Sequence, residues 1–303
     1  MMKENVKENT AVGHLAAVLT IFIWGTTFIS TKVLLTAFQP VEILLYRFVI
    51  GFAVLFIASP KLLRTKNFKE ELLFIGAGFC GICWYYLLEN IALTYTMASN
   101  VGVIVAASPF FTAILGHFLM KDEHGLHFNF VLGFIISMAG ISLISFNGSH
   151  LQLNPVGDLL ALSAAGVWAF YSVLTRKISD LGYPTLAVTR RTFFYGILFM
   201  IPAWFIFDCS LDLTAFAQPK YLLNILFLGL AASALCFATW NFAVRALGAV
   251  KTSVYIYMIP VITVITSALV LHERITLLAG VGTALTLLGL LLSERRKLKL
   301  LRK

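Results

Sequence analysis

Apolar stretches of about 17 to 25 residues follow one another along the whole chain, and only short polar segments separate them. Crossing the roughly 30 Å hydrocarbon core of a bilayer takes about 20 apolar residues in a helix, so each stretch is long enough to span a membrane. We therefore predict ten transmembrane helices, which occupy residues 13–31, 40–58, 72–93, 97–119, 128–146, 157–175, 186–207, 221–244, 249–271 and 277–293.

The composition favours an all-α integral membrane protein over a soluble one. Of the 303 residues, 59% are hydrophobic and only 12% are charged. A soluble domain of this length would need more charge to cover its surface. Because the ten predicted helices use nearly the whole chain, we expect no separate catalytic domain.

The ten segments form two sets of five, in which matching residues recur at corresponding positions. An offset of 144 or 151 residues relates Trp24 to Trp168, Arg47 to Arg191, Asn90 to Asn241, and Pro109 to Pro260. Since five is an odd number of crossings, the second set must enter the membrane upside down, as in inverted-repeat transporters. We expect a cytoplasmic tail at 1–12, a first repeat at 13–147, an outer linker at 148–156, an inverted second repeat at 157–294 and a basic cytoplasmic tail at 295–303.

The distribution of basic residues predicts that both termini lie in the cytoplasm. Four basic residues crowd the loop after the second segment, and six more follow the tenth segment in 295–303. The positive-inside rule places such clusters on the cytoplasmic side of a membrane. Attraction to anionic membrane lipids then explains the formal net charge of +9 without a nucleic-acid partner.

Several short motifs occur in a consistent order along both halves. They are Trp24-Gly25, Tyr46-Arg47-Phe48, Asn90-Ile91-Ala92-Leu93, Pro109 with Pro260, Asp122-Glu123 with Glu273, and Gly133/Gly140 with Gly282/Gly289. In these motifs the chain resembles the EamA-type, ten-helix members of the drug/metabolite transporter superfamily. The resemblance implies export of small metabolites through a cavity between the two halves, and it implies no particular substrate.

Glu89 is the strongest candidate for transport chemistry, because it is a carboxylate within the predicted third helix. An ionisable side chain inside a membrane span is costly and is by default a functional-site hypothesis. A carboxyl group that binds a proton in one state and a substrate amine in another could couple the two fluxes. At a rise of about 1.5 Å per residue, Arg47 lies at a similar depth, so a static ion pair between the two is the structural alternative.

Other polar and aromatic side chains are expected to shape the cavity together with Glu89. Amides offer both donors and acceptors, and aromatic rings bind flat or cationic solutes through stacking and cation–π contacts. The candidates are Asn90, Trp24, Trp168, Tyr86, Tyr171, Asn241 and Tyr257. For the aromatic residues, plain packing within the helical bundle is the alternative.

Pro109 and Pro260 each fall near the middle of a predicted helix. Proline removes a backbone hydrogen bond and clashes with the preceding turn. In hydrocarbon, the carbonyls freed in this way must face protein, water or ligand. The two matched prolines therefore predict a central polar cavity with hinges for alternating access, and kinks that only improve packing are the alternative.

The sequence contains no motif that indicates an enzyme, a cofactor or a metal site. Cys80-Gly81-Ile82-Cys83 has the spacing of a redox motif but lies in an apolar helix. We also find neither a glycine-rich phosphate loop nor the motif of a catalytic serine. We therefore expect no catalytic residue, no cofactor and no resident metal ion.

Together these features predict a secondary active transporter that exports small amphipathic metabolites, such as amino acids or related amines, by alternating access around a central cavity. Protons are the candidate coupling ion. A passive channel or facilitator, and an exporter of aromatic or cationic toxic compounds, stay open as alternatives. Short loops favour a multi-pass protein of a bacterial inner membrane, as either a monomer or a homodimer.

Overall fold

A computed structural model describes residues 2–96, 98–120, 127–145, 154–262, 265 and 277–294, and the regular secondary structure of these residues is entirely helical. The helices are α1 (Met2–Leu34), α2 (Pro40–Ala58), α3 (Phe68–Tyr95), α4 (Ala98–Val105), α5 (Ser108–Leu119), α6 (Phe128–Ser145), α7 (Pro155–Asp180), α8 (Thr185–Ile206), α9 (Pro219–Leu247), α10 (Ala249–Ile262) and α11 (Leu277–Glu294). By length and composition, α1, α2, α3, α7 and α9 could each cross a membrane. The predicted all-α class is confirmed over this part of the chain.

The fourth predicted helix is not continuous. The segment that we predicted as one helix, 97–119, is divided between α4 and α5, and Pro109 lies in the first turn of α5. Proline is tolerated there because a helix leaves the first N–H groups without intrahelical partners. In α10, a 3-10 turn at Val254–Tyr257 precedes Pro260. Both prolines therefore follow a break in α-helical hydrogen bonding instead of kinking a continuous helix.

Two helices at corresponding positions of the halves contain π-helical segments. These segments are Phe79–Trp84 in α3 and Phe227–Leu235 in α9. The offset of 151 residues carries the first segment onto 230–235, which lies inside the second. A π-helical turn holds an extra residue, so it rotates the side chains that follow it, and such turns are frequent at functional sites. In α3 the rotated residues begin at Tyr85, one turn before Glu89.

Glycines bring α6 and α11 into close backbone contact. A Cβ atom at Gly133 would lie 2.5 Å from the carbonyl oxygen of Gly289, and one at Gly140 would lie 2.5 Å from that of Gly282. The order of these two contacts makes the helices antiparallel. Because α6 and α11 are the last helices of the two halves, their pairing relates the halves by a pseudo-twofold axis.

The other helices interlock the two halves. α3 packs on α7 where Gly81 leaves no room for a side chain beside the Tyr171 ring, and α1 packs on α9, where the hydroxyls of Thr20 and Thr239 are 2.6 Å apart. Since α1 corresponds to α7 and α3 to α9, these two contacts are equivalent. Among the described residues, the main hydrophobic core and the two smaller core clusters each contain residues of both halves.

A group of polar side chains ties α3 to α8. Arg191 donates from Nε to Oε1 of Glu71 at 2.9 Å and from Nη2 to Oε2 at 2.5 Å. Tyr195 and Thr65 also donate to this carboxylate, and Arg191 donates to the Leu63 carbonyl. The side chains of Arg191 and Glu71 are only 25% and 13% exposed. Glu71 is thereby fully engaged and holds the start of α3 against α8.

Replacing Gly140 with valine should force α6 and α11 apart, because the new Cβ would meet backbone atoms of α11 that cannot move aside. We expect a loss of about 1–3 kcal/mol in stability, the usual cost of overpacking a close contact. The measurement is the melting temperature of the detergent-solubilised protein. Gly280→Ala is the control, since a Cβ there meets no described atom within 4 Å. Equal melting temperatures for the two variants would contradict the close contact between α6 and α11.

Glu71→Gln should also destabilise the protein, because it keeps the shape of the side chain but removes the charge that Arg191 holds. Hydrogen bonds to a charged group contribute about 1.5–3 kcal/mol, so a loss of that order is expected in the same melting assay. Asp180→Asn serves as the control: its 3.3 Å ion pair with Arg176 is on an exposed side chain and should contribute about 0–1 kcal/mol. A Glu71→Gln protein as stable as Asp180→Asn would refute this role of Glu71.

Candidate functional site: an aromatic cavity around Glu89

A cavity lies between the two halves, beside Glu89. The cavity and its open mouth together hold about 400 Å³ of space that no atom fills, with the solvent at the mouth included. Helices α1, α3, α4, α5, α7 and α10 all contribute to its wall, so both halves form it. Five of its eleven lining residues are aromatic, namely Trp24, Phe28, Tyr85, Tyr86 and Trp168.

Among the described residues that line this cavity, Glu89 is the one that carries a charge. It is 7% exposed and accepts a hydrogen bond on Oε1 from the Tyr85 hydroxyl at 3.0 Å. Tyr85 lies four residues earlier on α3, so one helix face presents both the phenol and the carboxylate. A carboxylate can accept several hydrogen bonds, so Glu89 keeps capacity for a ligand in the cavity.

Three tryptophans pack together where the halves meet. Trp24 and Trp168, which correspond to each other in the two halves, meet edge to face with ring centroids 5.3 Å apart. Trp24 also donates from Nε1 to the Ala232 carbonyl at 3.0 Å, which fixes its ring. Trp240 lies 5.1 Å from Trp24 and occupies the position that corresponds to Glu89. Two residues that correspond in the two halves can touch only near the pseudo-twofold axis, so the contact of Trp24 with Trp168 places the cavity at that axis. The carboxylate in its wall, Glu89, comes from the first half.

Arg47 is not in direct contact with Glu89, contrary to the ion pair that equal depth suggested. It is 1% exposed, its Nε donates to Ser233 Oγ at 3.0 Å, and its Cζ lies 4.5 Å from the centroid of the Tyr86 ring. Within the described residues, no ion pair joins Arg47 to a carboxylate, and its buried Nη2 has no hydrogen-bond partner. The guanidinium instead forms a cation–π contact with Tyr86.

Four of the predicted site residues do not line the cavity. Asn90 donates to the carbonyl of the first residue of α2 at 3.2 Å. Asn241 accepts a hydrogen bond from the Tyr171 hydroxyl at 2.8 Å and donates to Thr189 Oγ1 at 2.9 Å. Tyr257 is fully buried in a separate core cluster with residues of α5, α6 and α10. In this structure these four side chains pack helices together, whereas Trp24, Trp168, Tyr86 and Glu89 meet in the cavity.

The helix breaks border the cavity. Val105 and Ser108 flank the break between α4 and α5, Ile256 lies in the 3-10 turn of α10, and Ile259 follows it. Ser108 Oγ donates back to the Val105 carbonyl at 2.5 Å, which satisfies one group freed by the break. Irregular backbone at membrane depth is tolerated where it is buried in protein or lines a cavity, and both breaks meet that condition.

Sequence reasoning missed three polar residues of the cavity wall. Tyr85 could have been found, because the spacing of four from Glu89 places both on one helix face. The same rule relates Thr27 to Trp24, three residues earlier. Ser108 gave no such signal, since its place depends on a break that the hydrophobic pattern does not show.

Some predicted features fall outside the described residues. These are Asp122-Glu123, Glu273, the tail at 295–303 and most of the linker at 148–156. Within the part of the chain that the structure covers, no group of three or more His, Cys, Asp or Glu side chains could hold a metal ion.

Known proteins share this architecture. A solved crystal structure matches the fold with a TM-score of 0.74 at 20% identity, over 95% of this chain and 96% of its own. An uncharacterised transporter of Archaeoglobus fulgidus is 26% identical over 94% of this chain and 98% of its own length. A probable terminal-alkyne amino-acid exporter of Streptantibioticus cattleyicolor is 24% identical over 93% of each chain. A probable amino-acid metabolite efflux pump of Escherichia coli is 25% identical over 90% of this chain and 92% of its own.

The match to a family confirms the resemblance seen in the sequence motifs. The EamA-like transporter family matches residues 11–146 and again residues 155–295, once in each half. The cavity at the junction of the halves is thus formed by two copies of one family unit. The chain belongs to the EamA-like transporter family.

Proposed function

We propose that this chain is a secondary active transporter that exports small amphipathic metabolites, in particular amino acids or related amines, through the cavity between its halves. The observation that carries the proposal is Glu89, a single buried carboxylate in a cavity walled by aromatic rings. Family membership makes the chain a transporter. The cavity supplies the chemistry by which it would select a solute.

The cavity suits a protonated amine attached to an apolar group. An ammonium can donate hydrogen bonds to the Glu89 carboxylate while its charge lies against neighbouring ring faces. The rings of Trp168 and Tyr85, with centroids 4.8 Å apart, stand beside that carboxylate. The apolar part of the solute would rest against Phe28 and Ile259. Both interactions are strongest where water is excluded, as it is at a carboxylate that is 7% exposed.

Two relatives support this class of solute. The S. cattleyicolor protein is named a probable terminal-alkyne amino-acid exporter, and the E. coli protein a probable amino-acid metabolite efflux pump. Identities of 24% and 25% favour a shared class of solute over one shared molecule.

We also propose ten transmembrane helices in two inverted repeats, 13–147 and 157–294, with both termini in the cytoplasm of a bacterium. The antiparallel contact of α6 with α11 supports the inversion. The loop between α2 and α3, together with the first turn of α3, carries four exposed basic side chains that could meet anionic lipid headgroups, which supports the orientation. These residues are Lys61, Arg64, Lys66 and Lys69.

Alternating access would use the two helix breaks as hinges. Backbone that has already lost α-helical hydrogen bonds bends more easily than a continuous helix, and the breaks before Pro109 and Pro260 border the cavity. Proton coupling would follow if Glu89 gives up its proton when it takes the substrate ammonium. Because the proton and the substrate ammonium would then exchange at the same carboxylate, movement of the substrate would depend on movement of the proton.

Export of aromatic or cationic toxic compounds is the second candidate function. It is favoured by the charge of the cavity wall, which is negative at Glu89, whereas none of the described lining residues is a cation that could match a carboxylate. A passive facilitator is the remaining alternative, and it would need no titrating group. Flux measurements separate these functions.

Glu89→Gln should abolish accumulation that is driven by a pH gradient, because an amide can neither exchange a proton nor neutralise an ammonium. In proteoliposomes offered amino acids, polyamines and aromatic cations, uptake of the carried solute should fall about tenfold or more. Asp180→Asn, which removes an exposed acid, should transport like the wild type. Simple equilibration of the solute by both wild type and Glu89→Gln would establish a facilitator instead.

Trp168→Leu should weaken binding of the carried solute, since it removes a ring from the cavity wall. We expect the half-saturating concentration for flux to rise about tenfold, the scale of a desolvated cation–π contact. Trp84→Leu is the matched control, because it removes the same kind of ring at a position outside the cavity wall. Trp84 lies in α3, is 41% exposed and stacks on Phe79. Equal effects of the two substitutions would rule out a specific role of the Trp168 ring.

A further inference from the structure

We propose that Arg47 binds the carboxylate of the substrate, so that the site holds a zwitterion with its ammonium on Glu89 and its carboxylate on Arg47. The inference rests on the proposed function and completes its binding site. It makes zwitterionic amino acids, instead of simple amines, the class of substrate.

Arg47 carries a positive charge that no carboxylate contacts within the described residues. The residue is 1% exposed, and of its guanidinium nitrogens Nε donates to Ser233 while Nη2 is buried without a partner. A buried charge without a counter-ion is costly, and charges inside membrane spans are found mainly where they have a function. An anion that visits the site would supply the missing partner.

The corresponding arginine of the second half shows how such an anion can be held. Arg191 lies 144 residues after Arg47. It donates from Nε to Glu71 Oε1 at 2.9 Å and from Nη2 to Glu71 Oε2 at 2.5 Å. On Arg47 the same edge bears only the Ser233 hydroxyl, at Nε. The free Nη2 can therefore donate to a substrate carboxylate, and the Ser233 hydroxyl can turn to donate to it as well.

Tyr86 stands between Arg47 and the cavity. Its ring lines the cavity and packs on the guanidinium, whereas Arg47 itself is not part of the cavity wall. Tyr86 lies two residues after the π-helical segment Phe79–Trp84, where α3 can change its register. A rotation of the Tyr86 side chain, or a turn of α3 at that segment, would open Nη2 to the cavity. Because Tyr86 and Glu89 line the same cavity, a ligand that takes the place of the Tyr86 ring would lie beside both charges.

Other nearby cations are engaged elsewhere. Lys32 donates to two main-chain carbonyls at the end of α3, at 2.7 and 3.3 Å. Lys251 Nζ lies 3.3 Å from His14 Nε2, at the start of α10. Neither lysine lines the cavity. Of these three cations, Arg47 is the one whose charge packs on a ring of the cavity wall.

Matched pairs of ligands test the proposal on the purified full-length protein. Each pair is an amino acid and the amine left by its decarboxylation, for example L-phenylalanine with phenethylamine and L-leucine with 3-methylbutylamine. Titration calorimetry over pairs of the common amino acids measures both members. For the amino acids that the protein carries, the wild type should bind the zwitterion about tenfold or more tightly than the amine.

Substitution of the arginine should remove that preference. Arg47→Gln is expected to weaken zwitterion binding about 10- to 100-fold and amine binding less than about threefold. Arg47→Lys keeps the charge without the planar fork, so it should recover part of the zwitterion affinity. Arg64→Gln, which removes an exposed loop arginine, should bind like the wild type.

Each contrary outcome is distinct. A wild type that binds the amine as tightly as its amino acid would overturn the role of Arg47 and leave an amine transporter intact, and this comparison needs no variant to fold. Retained preference in Arg47→Gln would overturn it equally. Failure of the wild type to bind either member of any pair would reject the proposed function together with this inference.

Discussion

A charge inside a bundle of helices this apolar must be stabilised by the few polar groups around it, and the arrangement of Glu89 and Arg47 follows from that constraint. The Glu89 carboxylate is held by the Tyr85 hydroxyl, and the Arg47 guanidinium by Ser233 and the Tyr86 ring. Neither charge is neutralised by the other through direct contact. A direct pair would satisfy both groups and close the site, whereas two partly satisfied charges of opposite sign leave room for a ligand that carries both.

The scaffold is symmetric and the chemistry is not. Trp24 and Trp168 meet at the pseudo-twofold axis, but the position that is Glu89 in the first half is Trp240 in the second. The two related arginines differ in the same way. Arg191 donates from both Nε and Nη2 to Glu71 and so links α8 to α3. Of the same two nitrogens of Arg47, Nε donates to Ser233 and Nη2 has no hydrogen-bond partner among the described residues. Duplication thus supplies a symmetric framework, and a few differences between the copies make the site asymmetric.

The long apolar stretches and the internal repeat predicted the all-helical class and the two repeats of the family, because both are features that recur along the chain. Glu89 was predicted as the centre of the site because a lone acid in an apolar helix is conspicuous, and the structure places it in the wall of the cavity. The ion pair with Arg47, which was the alternative for Glu89, is not formed in the structure, since rise per residue gives the depth of a side chain but not the side of the helix on which it lies. The π-helical segment before Tyr85 adds a rotation that no hydrophobic pattern encodes. The same limit explains the four predicted site residues that do not line the cavity. Their depth was consistent with the cavity, but their side chains pack elsewhere; they are Asn90, Tyr171, Asn241 and Tyr257.

The central claim is that a solute binds at Glu89, in the cavity between the halves. An experimental structure of the protein with a transported amino acid bound would test it most directly. The account predicts an ammonium within hydrogen-bonding distance of the Glu89 carboxylate, rings of Trp24 and Trp168 beside it, and Tyr86 moved aside so that the ligand carboxylate meets Arg47. A ligand bound away from this cavity, with Glu89 bonded only to Tyr85, would contradict the account.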